Sequence, residues 1–191
     1  MKLFLVRHGQ TVANRDQFYS GQSDIPLTEQ GRQEAEAIRP ILAPFTFDRV
    51  YCSDLSRAMN TQRLALPDAV AETTPLLREF DVGSLTGKGF AEVRAMQDNT
   101  FRSRLDFTGF GGENIDMVCD RVRAFLSQLE ADPCENVIAF AHNGVLGCAL
   151  RTVLNADIDS TAAFSRNCAI HVFEYDGTKW RLLAWNYMGK L

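Results

Sequence analysis

Leu3-Phe4-Leu5-Val6 is a continuous apolar run without helical period, the pattern of a strand buried on both faces of a parallel sheet. Val137 to Ala141 repeats that pattern, Val50-Tyr51-Cys52 is a shorter example, and Val70 to Thr74 predicts a weaker strand. Between these runs the apolar positions move to helical spacing. Thr28 is placed to cap a helix whose apolar face continues through Ala35, Ile38 and Leu42 toward Pro44, with Pro40 kinking or shortening it. Ser53 and Asp54 are placed to cap a helix running through Arg57 toward Leu64. From Ile115, the residues Val118, Val122, Phe125 and Leu129 hold one helical face until Pro133, and Gly144 to Leu154 forms another helix after the Val137 strand. Ala169 to Tyr175 and Trp180 to Trp185 flank Asp176-Gly177 as the arms of a hairpin. Gly83, Gly87, Gly89 and the run from Gly109 to Gly112 bracket the least periodic stretch, where one helix is expected around Ala91 to Asp98. Strands that alternate with helices and close in a hairpin imply a three-layer α/β/α sandwich, mostly parallel, with its site at the carboxyl ends of the strands. No repeat or linker interrupts the pattern, so residues 1–191 read as a single domain with a small cap around 83–112.

The 191 residues, 46% of them hydrophobic, suffice for one such core. Twenty basic against 24 acidic side chains give a net charge of -4, an ordinary globular surface. Nucleic-acid or anionic-membrane binding would need a more basic chain, and neither is expected. The first apolar run stops at Arg7, too short for a signal-peptide core or a membrane span, which points to the cytoplasm. Cys52, Cys119, Cys134, Cys148 and Cys168 are odd in number and scattered, without a C-x-x-C pair. They signal neither a disulfide framework nor a thiolate zinc site, and read as reduced, mostly buried small hydrophobes.

Only three histidines are present, and His8 and His142 directly follow the two best buried strands. Open α/β sheets bind their ligands there. His171 falls inside a hairpin strand and reads as structural. His8 lies between Arg7 and Gly9, and Gly9 is expected to let the backbone approach a ligand closely. A guanidinium beside an imidazole at a strand end suits an anion, because the first binds phosphate in a fork and the second can attack phosphorus. Arg57, in the first turns of its helix, brings a second guanidinium to the same rim. On its residues alone, Glu79 reads as a salt-bridge partner of Arg78 or a solvated loop charge.

Leu5-Val6-Arg7-His8-Gly9-Gln10-Thr11 with Asn14 resembles the signature of the histidine phosphatase superfamily, in its phosphoglycerate mutase-like branch. The resemblance extends through Gly21 to Gly31, Ser53 to Ala58 with Thr61, Leu77-Arg78-Glu79 with Gly83, Gly111-Gly112-Glu113, and Ala141 to Gly144, in the family's order. It implies a phosphoglycerate mutase-like fold in which His8 becomes a phosphohistidine, with Arg7, Arg57 and His142 around the transferred phosphoryl oxygens. Glu79 is then the proton donor to the leaving oxygen and the acceptor from the incoming water, a role that partial burial favours. Asn14, the backbone of Ser20, Gly21 and Gln22, and Asn143 complete the substrate-contacting set. Asn143 stands where acid phosphatases of the superfamily carry an aspartate donor, which returns the acid role to Glu79. Thr86 stands where the family commonly has a glutamate. Positioned cations supply the stabilisation a phosphoryl group in flight requires, so neither a metal nor another cofactor is expected.

The family's true mutases use a longer basic insertion with paired arginines. Here Lys88 to Phe110 spans 23 residues and holds Lys88, Arg94, Arg102 and Arg104 without an adjacent pair. A phosphomonoesterase acting on a small phosphorylated metabolite is therefore favoured, with phosphoglycerate mutase-type transfer as the alternative. A non-catalytic phosphate- or partner-binding protein has no need of an aligned nucleophile and acid. A nucleotide-binding protein would need a phosphate-loop or G-x-G-x-x-G motif, and the sequence has neither. Phe90, Phe101, Phe107 and Phe110 either form an apolar lid that selects the leaving group or pack the cap onto the sheet. Monomer and homodimer are both compatible with the sequence.

Overall fold

The computed structural model describes residues 1–96, 105–158 and 163–189. A six-stranded sheet runs in the order β3-β2-β4-β1-β5-β6. Its strands are β1 (Lys2–Arg7), β2 (Arg49–Ser53), β3 (Glu72–Thr74), β4 (Asn136–Ala141), β5 (Ile170–Tyr175) and β6 (Trp180–Tyr187). β1, β4, β2 and β3 pair in parallel, while β5 runs antiparallel to both β1 and β6. The helices are α1 (Val12–Asp16), α2 (Glu29–Ala37), α3 (Arg39–Leu42), α4 (Ser56–Ala65), α5 (Phe90–Met96), α6 (Ile115–Ala131) and α7 (Asn143–Leu154).

Burial on both faces explains why the central strands are apolar throughout. Leu3 and Leu5 of β1, with Val137, Ala139 and Ala141 of β4, join the core made with α6 and α7. Phe4, Val6, Ile138 and Phe140 face the other way, into a core with Ala35, Ile38, Leu42, Ala58 and Ala65. The expected α/β/α sandwich with its terminal hairpin is the fold observed. Val118, Val122, Phe125 and Leu129 are all buried, as their spacing predicted. The helix predicted from Thr28 divides at Ile38 into α2, capped by Thr28, and α3, where Pro40 occupies the first turn and needs no amide hydrogen. Four of the five thiols are buried, Cys134 is partly exposed, and all five are free.

Two local expectations are corrected. Ser53 and Asp54 do not cap α4, which starts at Ser56 after Leu55. The Ser56 N–H donates instead to Asp24 Oδ1 from a distant loop (3.1 Å), while Asp54 pairs with Arg78 (2.6 Å). Gly9 serves packing rather than ligand approach. A Cβ there would lie 2.2 Å from the Gly31 carbonyl oxygen, so only glycine lets the strand end meet the start of α2.

The segment after β3 folds back on the exit of α1. Phe18 pairs with Gly89, Tyr19 N–H donates to Lys88 O, and Phe90 N–H donates to Gln17 O. Thr86 is exposed and closes its own turn on Gly83 O (2.9 Å). Phe101, Arg102 and Arg104 lie outside the described residues. Among the described residues, no helix is long and apolar enough to cross a membrane.

Candidate active site

Pairing of β1 with β4 sets Arg7 opposite Ala141, so the residues that follow, His8 and His142, leave the sheet side by side. Their rings are 5.1 Å apart. β2 flanks β4 on its other side and ends at Ser53, from which the chain turns into α4 and delivers Arg57. A cavity of about 560 Å³ opens above these strand ends. Arg7, His8, Asn14, Ser20, Gly21, Arg57, Glu79 and Asn143 all line it.

The His8 imidazole is held at one nitrogen. Its Nδ1 lies 2.7 Å from Gly9 O, and a carbonyl only accepts, so Nδ1 carries the hydrogen and Nε2 keeps its lone pair for the cavity. Burial, then the charges of Arg57 and Arg7, hold this ring well below the ordinary imidazole range, so it is neutral at neutral pH.

Arg7 donates through Nη1 to Ser165 O, while its Nε–H is buried with no partner among the described residues. Such an orphaned donor costs about 1–3 kcal/mol, and an anion's oxygen would satisfy it. The Arg57 side chain is buried and donates to Ser23 O (2.9 Å), Gly21 O (2.7 Å) and His142 Nδ1 (3.2 Å). Three bonds leave two of its five N–H groups for a ligand. Burial lowers the pKa of both guanidiniums, opposed first by the Glu79 charge, and neither approaches neutrality near pH 7.

His142 lies beneath the cavity and does not line it. Its Nδ1 accepts from Arg57, so the hydrogen sits on Nε2 and donates to Ser53 Oγ (2.8 Å). With both nitrogens engaged, this ring touches the site through Arg57 and through its contact with His8. Burial, followed by Arg57, His8 and Arg7, keeps it neutral.

Glu79 is neither paired with Arg78 nor fully solvated. It is half-buried, and its oxygens accept from Phe80 N–H (2.9 Å) and from Gly144 N–H (3.3 Å) in the first turn of α7. A Cβ at Gly144 would sit 2.2 Å from Glu79 Oε1, so only glycine admits the carboxylate here. Asn14 Oδ1 accepts from Thr11 N–H and Asn143 Oδ1 from Ser165 N–H, which turns both amide NH₂ groups to the cavity. Gln22 does not line the cavity. Its side chain donates to Glu79 O (3.1 Å) and ties the loop to the acid-bearing segment.

Several supporting residues had no sequence signal. Arg121 donates to Leu76 O, Arg78 O and Glu79 O and pairs with Glu113 (2.9 Å), clamping the backbone that carries Glu79. Asn167 donates to His8 O (2.9 Å), and Phe164 lies over the Arg7 guanidinium at 5.7 Å. His171 is a buried core histidine that donates to Ser165 Oγ (2.7 Å), the residue whose carbonyl holds Arg7. Among the described residues, no group of three or more His, Cys, Asp or Glu side chains is placed to hold a metal ion.

The family model of the histidine phosphatase superfamily (branch 1) matches residues 3–188. An adenosylcobalamin/alpha-ribazole phosphatase of Salmonella typhimurium is 34% identical over 167 residues, covering 81% of this chain and 80% of that protein. A probable phosphoglycerate mutase GpmB of Proteus mirabilis is 29% identical over 193 aligned positions, covering 97% and 90%. The structure of a mycobacterial glucosyl-3-phosphoglycerate phosphatase complexed with VO3 superposes with a TM-score of 0.87 at 26% identity, covering 97% of this chain and 98% of that one. Matching nearly end to end, and with a histidine and two arginines gathered at the parallel strand ends, this chain belongs to the histidine phosphatase superfamily.

Proposed function

We propose that the protein is a phosphomonoesterase that works through a phosphohistidine on His8. The observation that carries this reading is the His8 tautomer: hydrogen on Nδ1, lone pair on Nε2, in one cavity with two guanidiniums and a carboxyl group. In the first step Nε2 attacks phosphorus, the ester P–O bond breaks, and Glu79 gives its proton to the departing alkoxide. In the second step water attacks the phosphohistidine, Glu79 takes the water's proton, the P–N bond breaks, and phosphate leaves. Arg7 and Arg57 stabilise the charge spread over the three equatorial oxygens, with Arg7 Nε–H as one unspent donor. His142 holds Arg57 at its Nε, and Asn14, Asn143 and the backbone of Ser20 and Gly21 add neutral contacts.

The two cations supply the charge that a metal would otherwise bring, so turnover is metal-independent. Residues 83–112 act as a cap on this single domain, and five free thiols suit a reducing cytoplasm. The mutase reading, favoured by the GpmB likeness, requires a cation for the second acidic group of a phosphoglycerate. Lys88 is paired with Glu92 (2.8 Å), and neither Lys88 nor Arg94 lines the cavity.

His8→Ala tests the assignment. It should lower turnover of p-nitrophenyl phosphate by several orders of magnitude, and acid-labile, base-stable label from a phosphorylated substrate should appear on the wild type alone. Labelling of the variant at the wild-type level rejects His8 as nucleophile. Loss of activity on exhaustive chelation, restored by magnesium or zinc, rejects the metal-free mechanism.

A further inference from the structure

The cavity above His8 has two chemically different ends. Its phosphate end holds the charged lining side chains found among the described residues, namely Arg7, Arg57 and Glu79. Its other wall is aromatic. Tyr19 stacks edge-on against Phe90 at 4.8 Å and against Phe107 at 6.0 Å, and Phe107 meets Phe80 at 5.8 Å, so four rings form one continuous surface. Phe164 joins the lining over Arg7, and it and Phe90 remain 57% and 38% exposed. Packing the cap onto the sheet accounts for Phe80 and Phe107, which are buried, but not for two rings left open to solvent at the cavity.

From this we infer the substrate class: a phosphomonoester whose alcohol is uncharged and carries a flat apolar group, an aromatic ring system, that stacks on the Tyr19–Phe90 wall. The inference rests on the phosphomonoesterase reading and adds the leaving group to it. Two arguments lead there. Apolar wall area left wet in the free protein is removed from water only by an apolar partner, and aromatic faces favour flat ones. Among the described lining residues the cations are the two arginines committed to the phosphoryl group, which leaves a second anion on the substrate without a partner there. A carboxylate-bearing phosphoester such as 3-phosphoglycerate is disfavoured on that ground, while a neutral arm finds Asn14, Gln17 and Asn167 as polar contacts along the way.

The test uses three phosphoesters of primary alcohols, which keeps leaving-group chemistry similar: 2-(1-naphthyl)ethyl phosphate, ethyl phosphate and 3-phosphoglycerate. The naphthylethyl ester should exceed ethyl phosphate about 100-fold or more in kcat/KM, as expected for burial of a bicyclic ring, and 3-phosphoglycerate should not exceed ethyl phosphate. Phe90→Ala and Phe164→Ala remove half-exposed rings and so leave the fold in place. Each should cut the naphthylethyl-to-ethyl ratio about tenfold. A ratio near one, a ratio indifferent to both variants, or preference for 3-phosphoglycerate overturns the inference. Calorimetric titration of the His8→Ala protein with the same three esters reads binding without turnover. If no ester is hydrolysed by wild type, the phosphatase reading fails, while tighter binding of the naphthylethyl ester would still support the class, and equal binding would reject it.

Discussion

The Gly9 carbonyl can only accept, and this one bond commits the His8 hydrogen to Nδ1 and the lone pair to Nε2. The same logic fixes His142, where the Arg57 Nε–H donor forces the hydrogen to the Ser53 side. Glu79 carries the most exposed assignment, because an acid helps only where the leaving group needs its proton. Glu79→Gln should therefore slow hydrolysis of alkyl phosphates by about 10²–10⁴, and single-turnover phosphorylation by p-nitrophenyl phosphate far less, since that phenolate leaves unaided. Equal losses for both substrates would make Glu79 a positioning group. His8 and Arg7 were readable from sequence because strand ends expose whatever follows an apolar run, and Arg57 because it opens the helix after β2. Arg121 and Phe164 were not readable: each acts on a residue far along the chain, Arg121 on the carbonyls of residues 76–79 and Phe164 on Arg7. No local pattern encodes that reach.

Among the elements, the central strands followed directly from composition, because a strand covered on both faces has no polar alternation to confuse with a helix. The cap of α4 did not. Ser53-Asp54 has the right chemistry for a helix start, but Ser53 is drawn to His142 and Asp54 to Arg78, and Asp24 takes the position instead. That substitution has a functional consequence, for the Asp24 loop also supplies Gly21 O and Ser23 O to Arg57. Asp24→Ala should cost about 0.5–2 kcal/mol in urea unfolding, while Asp24→Asn, an equivalent cap, should lose only a few tenths. Equal loss in both variants would assign the effect to charge rather than to capping. Between Gly83 and Gly112 the expected helix is α5 (Phe90–Met96), while the turns around it stayed unreadable for a different reason. Phe90 and Phe107 serve the cavity wall, so they follow the shape of the pocket and not the period of an element.

Across the whole molecule, the sheet order brings all three histidines of the chain into buried positions, two at the β1 and β4 ends and one in β5. Each is held below its ordinary pKa, first by burial and then by facing cations: Arg57 and Arg7 for His8, Arg57 for His142, and Arg7 for His171, which falls to about 3. In the unfolded chain all three titrate near 6.5. Below that pH the unfolded state binds protons that the native state refuses, so stability is complete above about 6.5 and falls as pH drops toward the native values. With three histidines charged only when unfolded, the slope approaches about 4 kcal/mol per pH unit below about pH 5.5, before most carboxylates begin to titrate. Urea midpoints measured from pH 7.5 to 5 should therefore be level at first and then decline steeply. His171→Gln should remove about a third of that slope, close to 1.4 kcal/mol per pH unit, without touching the cavity. Midpoints unchanged down to pH 5 would mean that the histidines are protonated in the fold, and the neutral His8 nucleophile would fall with that result.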